Sequence, residues 1–365
     1  MAPTPRSGVQ SIARYIPGGH ELGETKVLAV LSANENPLGP SPVAVAALRE
    51  MAGTINRYPE GGVTALRRAL AKHHGLDAER IVCGNGSDEL LALLVQAYAG
   101  PGDEVLYSQY GFLVYPIAAK ANGAVPVAAP EKDYRCDVDA MLKRAGPKTK
   151  IAFLANPNNP TGTYLKREEV TRLADGLPKT CLLVIDAAYA EYVARNDYSS
   201  GVELVESRDN VVMTRTFSKI FGLAGLRVGW AYCPENVADA LNRVRGPFNV
   251  NAAAQAAATA ALKDVAFADA SRTHNDIWLA WLGGALTKLG LHVFPSICNF
   301  VLVRFPADKA KNADAANAFL GKRGIIPRGM APYGLPDCLR ITVGTEQECR
   351  ATEAALKDFL AGKAP

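Results

Sequence analysis

A lysine preceded by two hydroxyl residues, and followed eight residues later by an arginine, gives the chain its most chemically promising stretch. Residues 211–230 read VVMTRTFSKIFGLAGLRVGW, so Thr216, Ser218, Lys219 and Arg227 lie close together. The apolar run from Val211 to Met213 predicts a buried strand, which puts the hydroxyls and the amine where that strand enters a loop. Open α/β sheets bind their ligands at such strand ends. An amine, two hydroxyls and a guanidinium suit a ligand that carries both an aldehyde and a phosphate. A solvated surface lysine is the other reading, and the elements that would supply partners decide between them.

Several other reactive groups fall at predicted strand ends. A short apolar run, Val27 to Leu31, leads into SANENPLGPSP, where Asn34 sits in a punctuated loop as a turn former or a ligand contact. Helices are predicted over Val43 to Met51 and Thr64 to His74. Between them Tyr58 precedes Pro59, which favours an extended backbone. The segment RIVCGNGSDE predicts a short strand, a glycine-spaced turn and a helix starting near Ser87. The free backbone N–H groups of Gly86, Ser87 and Asp88 then either cap a turn or face a phosphate. The segment lacks the third glycine of a dinucleotide fingerprint. Tyr110 follows a strand over Asp103 to Tyr107, placed to stack on a flat ring or simply to pack. Strands near Ala124 to Ala128 and Ile151 to Ala155 follow, and the second runs into NPNNPTG, a stiff loop presenting the Asn159 amide. A further helix is expected at about Lys166 to Asp175. The apolar strand Cys181 to Asp186 ends in a carboxylate, which is costly to bury unless it meets a cation or donors or caps a helix.

Strands alternating with helices through residue 230 predict a doubly wound α/β domain with a mainly parallel sheet. The composition changes at Asn251 to NAAAQAAATAALKD, an alanine-rich helix suited to close packing. A boundary there gives an N-terminal arm over 1–30, a large domain over 31–250 and a small α+β domain over 251–365. The small domain carries Arg328 just after a strand and Arg340 inside the apolar run CLRITV, where a guanidinium calls for a carboxylate partner.

Composition excludes several classes. A net charge of +4 spread over 365 residues forms no nucleic-acid patch. No apolar run approaches the roughly 18 residues of a membrane span, and the N-terminus lacks a hydrophobic signal core. The seven cysteines include no CxxC pair and read as reduced thiols of a cytoplasmic protein. The five histidines show no ligand spacing, so no metal site is expected.

Taken together, these groups specify one ligand. A phosphate cup comes from the turn at Gly86 to Asp88 with Thr216, Ser218 and Arg227, and a ring face from Tyr110. Asp186 supplies a carboxylate for a pyridinium nitrogen, Asn159 and Tyr189 donors for a phenolate oxygen, and Lys219 an amine for an aldehyde. Pyridoxal 5'-phosphate has all of those features. The chain here resembles the fold type I pyridoxal-phosphate enzymes, and specifically the histidinol-phosphate aminotransferase family. The resemblance runs in order through NENPLGP, RYPEGG, GNGSDE, NPNNPTG, the tetrad Asp186 to Tyr189, TFSKIFGLAGLRVG, PFNVN and LRITVGT.

The resemblance implies that Lys219 carries the cofactor's aldehyde, Asp186 pairs with the ring nitrogen, and Tyr189 and Asn159 hold the 3'-oxygen. It implies stacking by Tyr110 and phosphate binding by Ser87, Thr216, Ser218 and Arg227. It further implies a homodimer in which Tyr58 reaches the partner subunit's cofactor. Arg340 would grip an α-carboxylate or stand near the less charged end of histidinol phosphate, and Arg328 would hold the distal anion. The implied reaction is ping-pong transamination of histidinol phosphate with 2-oxoglutarate. An aromatic-amino-acid aminotransferase and a threonine-phosphate decarboxylase use the same cofactor cup. A non-catalytic scaffold is disfavoured by the presence of both Lys219 and Asp186.

Overall fold

A computed structural model describes residues 3–23 and 25–365. Its centre is a seven-stranded sheet, ordered from one edge Ile81–Gly84, Gly229–Tyr232, Val211–Thr216, Leu182–Asp186, Thr149–Ala155, Glu104–Ser108 and Val125–Ala129. All neighbours pair in parallel except Gly229–Tyr232, which runs antiparallel to both of its partners. The middle strands carry apolar runs, Ile151–Ala155, Leu182–Ile185 and Val211–Met213, because helices cover both faces. Alternate residues feed opposite cores: Leu183 and Ile185 pack on one side with Met213 and Leu154, while Leu182 and Val184 pack on the other with Val212 and Phe153. With the strands parallel, their carboxyl ends line up along one rim, and the functional residues gather there.

A smaller four-stranded antiparallel sheet orders Arg328–Gly329, Cys338–Thr342, Phe300–Arg304 and His292–Val293. Helices Ala313–Lys322 and Glu346–Leu360 and the C-terminal part of Val265–Lys288 cover it. The junction differs from the boundary expected at residue 251. Helix Ala252–Ala261 packs on helices Pro42–Met51 and Thr64–His74, and Ala254, Ala257, Ala258 and Ala261 lie in the larger core. The alanine run thus marks a close helix contact, for which small side chains are required, and the passage to the smaller unit comes later, along Val265–Lys288. At the other end of the chain, Ala29–Val30 pairs in parallel with Ile325–Ile326, and Ala29 and Leu31 join the smaller core. The two units are therefore laced together by the segment that leads into Asn34. All seven cysteines are buried and free. Among the described residues no helix is long and apolar enough to cross a membrane, and no cluster could hold a metal ion.

Candidate active site

A cavity of about 580 Å³ opens at the carboxyl rim of the large sheet, between the two units and beneath the N-terminal arm. Ala155, Asp186 and Thr216 reach it as the last residues of three adjacent strands. From the loops come Asn34, Asn159, Tyr189, Ser218, Lys219 and Arg227, and Ser87 and Asp88 enter from the first turn of helix Ser87–Tyr98. Arg328 and Arg340 close the side belonging to the smaller sheet.

The Lys219 amine donates to the Ala33 carbonyl at 2.9 Å. Burial, reinforced by the Arg340 charge, lowers its pKa to about 8, although Glu35 pulls the other way. A useful fraction of the amine is therefore neutral and nucleophilic near physiological pH. Asp186 is 6% exposed. Its Oδ2 accepts from the Tyr115 hydroxyl at 2.9 Å, whereas Oδ1 is buried without a hydrogen-bond partner among the described residues. Burial raises its pKa to about 6, against the opposing hydrogen bond from Tyr115. A protonated ring nitrogen is the kind of donor that such an orphaned carboxylate oxygen lacks.

The anion cup is assembled around Arg227. Its guanidinium donates to Ser218 Oγ at 3.2 Å and the Ala224 carbonyl at 3.0 Å, and it pairs with Asp88 at 2.8 Å. The Ser218 amide donates to Thr216 Oγ1 at 3.1 Å. Gly86 caps the helix at φ 85°, and a Cβ there would run into the Arg227 guanidinium. Glycine is thus needed both for the turn and for the arginine to lie across the helix N-terminus. At the opposite wall Asn34 donates to the Tyr189 hydroxyl at 2.8 Å, which leaves the phenolic proton free to donate. Asn159 accepts from Arg340 through Oδ1, which leaves its amide N–H groups free. These groups match the phosphate, ring nitrogen, phenolic oxygen and aldehyde of pyridoxal 5'-phosphate.

Three expectations change. Tyr110 does not line the cavity: its ring stacks on Tyr134, with centroids 5.5 Å apart. Phe112, two residues on, provides the aromatic face there. Arg340 has no carboxylate partner among the described residues. It instead donates to Asn159 and to the Ser32 carbonyl, at 2.6 Å for the latter, and lies over the Phe300 ring. Arg328 and Arg340 were expected at opposite ends of a substrate, but they are direct cross-strand partners in register. Arg328 donates to the Ile16 carbonyl at 2.8 Å and lies over the Tyr15 ring, so the arm is held against it.

Tyr58 lies outside this cavity, 82% exposed and stacked on Phe248. The Ala33 and Ser32 carbonyls and Tyr115 carry no local signal in the chain, because their contacts join segments far apart. Phe112 stood next to the chosen tyrosine, and only the path of the loop separates the two.

A family model described as aminotransferase class I and II matches residues 26–356. A histidinol-phosphate aminotransferase of Paramagnetospirillum magneticum is 60% identical over 359 residues, covering 98% of this chain and 99% of the relative. One from Rhodopseudomonas palustris is 54% identical over 98% of this chain and 99% of its own length. Among solved structures, the histidinol-phosphate aminotransferase of Sinorhizobium meliloti in complex with pyridoxal-5'-phosphate matches with a TM-score of 0.88 at 31% identity. That match covers 98% of this chain and 97% of the other.

Proposed function

Because the chain belongs to the class I and II aminotransferase family, we propose that it transfers the amine of L-histidinol phosphate to 2-oxoglutarate, giving imidazole acetol phosphate and L-glutamate. The observation that carries this substrate is the arginine pair. Arg328 and Arg340 are 8% and 4% exposed, stand opposite each other on adjacent strands, and neither forms an ion pair with a carboxylate among the described residues. Like charges so placed repel. A phosphate dianion relieves both at once, whereas a single α-carboxylate satisfies the pair less fully. In histidinol phosphate the phosphate ester occupies the end where an amino acid carries its α-carboxylate, so the pair also accepts glutamate in the other half of the cycle.

Bound pyridoxal 5'-phosphate supplies an aldehyde for the amine and a ring that accepts electron density when the substrate Cα loses its proton. Asp186 would hold the proton on the ring nitrogen through Oδ1. The Lys219 amine would hold the aldehyde and, freed when the substrate amine takes its place, would be the base that moves the Cα proton. Tyr189 and Asn159 would donate to the 3'-oxygen, with Asn34 fixing the direction of the Tyr189 hydroxyl. Ser87, the Asp88 N–H, Thr216, Ser218 and Arg227 would hold the phosphate, and Phe112 would cover the ring.

The same reading makes the protein a homodimer. Tyr58, Ile55 and Phe248 form an exposed apolar patch around one surface cleft, and Tyr58 would serve the partner subunit's cofactor. Co-expression of Tyr58→Ala and Lys219→Ala chains tests this. Mixed dimers regain one intact site and activity if Tyr58 acts across the interface, and regain none if it acts within its own chain.

The reaction is tested by mixing holoenzyme with histidinol phosphate, phenylalanine, tyrosine or threonine phosphate and following the loss of the visible cofactor band. Histidinol phosphate is expected to react with the highest second-order rate constant, and threonine phosphate to release no carbon dioxide. Faster reaction with phenylalanine or tyrosine would make the protein an aromatic aminotransferase. A colourless protein that cannot take up the cofactor would end the reading altogether.

A further inference from the structure

Tyr115 is a fully buried tyrosine to which the roles above assign nothing. It lies on helix Val114–Ala121 and is 1% exposed. Its ring stacks on Phe153, with centroids 4.4 Å apart and planes 6° from parallel, and meets Phe112 edge-on at 6.0 Å. With the ring held on two sides, the hydroxyl has a fixed direction, and it donates to Asp186 Oδ2 at 2.9 Å. Burial and the facing carboxylate keep the phenol protonated, so it can serve only as the donor in that bond. The other carboxylate oxygen, Oδ1, has no hydrogen-bond partner among the described residues.

We propose that Tyr115 is a positioning residue for the cofactor ring: its hydroxyl anchors Oδ2 of Asp186, keeps the carboxylate ionised and leaves Oδ1 turned to the ring nitrogen. The inference rests on the reading that this cavity holds pyridoxal 5'-phosphate. A buried tyrosine needs some acceptor, and a chance acceptor would make Tyr115 a matter of packing alone. Here the acceptor is the carboxylate that ends the central strand at the cavity wall, and the bond fixes the rotation about its last torsion.

The surroundings make the bond consequential. Facing Asp186 are the Ala188 N–H from the following loop, Thr214 from the neighbouring strand, Asp88 from helix Ser87–Tyr98 and Lys219 across the cavity. Burial and the Asp88 charge favour the neutral acid, while Tyr115 and Ala188 favour the carboxylate. The group titrates within about a unit of neutrality, so loss of one donor changes its charge state in the working range. A donor to a carboxylate lowers its pKa, and removing that donor raises it. The acid limb of every property that needs ionised Asp186 must then move to higher pH.

The test measures the equilibrium dissociation constant of pyridoxal phosphate from the apoenzyme between about pH 5 and 9, for wild type, Tyr115→Phe and a chain with 3-fluorotyrosine at position 115. Tyr115→Phe is expected to weaken binding roughly tenfold or more at pH 7 and to move the acid limb upward. Its kcat should fall at an unchanged KM for histidinol phosphate. The more acidic fluorophenol, a stronger donor, should move the limb downward by a few tenths of a pH unit. An unchanged binding profile in Tyr115→Phe, with only a lower melting temperature, would overturn the proposal. If Tyr115→Phe does not fold, an acid limb unmoved by fluorotyrosine overturns it equally. Failure of the wild-type apoenzyme to bind the cofactor would instead overturn the functional reading beneath it.

Discussion

The two walls of the cavity hold their arginines in opposite electrostatic states. On the large-sheet wall Arg227 is already paired with Asp88 and bonded to Ser218, all within loops and a helix that leave the same rim. On the other wall Arg328 and Arg340 face each other with no carboxylate ion-paired to either among the described residues, held by the Ile16 and Ser32 carbonyls and the Asn159 amide. The arginine of the first wall is already neutralised by Asp88, so that wall selects by shape and by the direction of its donors and acceptors. The second wall carries an uncompensated pair of charges and gains most from a ligand with two negative charges of its own. Cofactor retention should therefore depend on many small contacts of the first wall, and substrate choice on the charge of the second.

The sharpest way to break this division is at Lys219, the one residue of the first wall that must also act on the substrate. Lys219→Ala should lower transamination by about 10⁴-fold or more, since it removes both the nucleophile and the proton carrier. Cofactor should still be retained without covalent attachment, because the cup is intact. This is checked by turnover and by dialysis of the coloured protein. A variant that turned over normally would remove Lys219 from the chemistry, and one that lost the cofactor entirely would show that the first wall is not self-sufficient. In the wild-type apoenzyme, capture of the aldehyde should quicken as pH rises toward about 8 and then level off, because the amine is increasingly neutral up to its lowered pKa. A stopped-flow pH series reads this directly.

How much of each wall could be read from the sequence follows from the same contrast. The first wall lies at the ends of successive apolar strands, so Asp186, Thr216, Ser218 and Lys219 were placed by strand pattern alone, and Gly86 to Asp88 by a turn before a helix. Local pattern also located most strands and helices to within a residue or two. The second wall depends on a pairing between Arg328 and Arg340 and on an arm returning from residues 15–34, and neither is encoded in any local period. The expectation that the two arginines serve opposite substrate ends did not anticipate that they stand side by side. The alanine-rich helix was misplaced by a related ambiguity: small residues report close packing but not the neighbour they pack against.

Arg328 tests the second wall more gently. Arg328→Ala should lower kcat/KM for histidinol phosphate by roughly tenfold to a hundredfold and for phenylalanine only a few-fold. Arg340→Ala should depress both, since Arg340 also holds Asn159 and thereby the amide that faces the cavity. Parallel kinetics with the two substrates decide it. An equal loss for both substrates in Arg328→Ala would mean that this arginine merely secures the arm through Ile16 and that charge does not set the choice of donor.

The smallest effects are expected where the first wall meets the ring face. Phe112→Leu keeps bulk but loses the aromatic surface, and should weaken pyridoxal phosphate binding to the apoenzyme by about two- to tenfold. Tyr110→Leu should leave it unchanged, because the Tyr110 ring is engaged with Tyr134 outside the cavity. Fluorescence titration of both variants separates the two tyrosine-loop readings without touching the reacting atoms. A loss at Tyr110 with none at Phe112 would mean that the loop rearranges when the cofactor enters. The first wall would then be only partly formed beforehand, and the contrast with the arginine wall would narrow to a difference in charge.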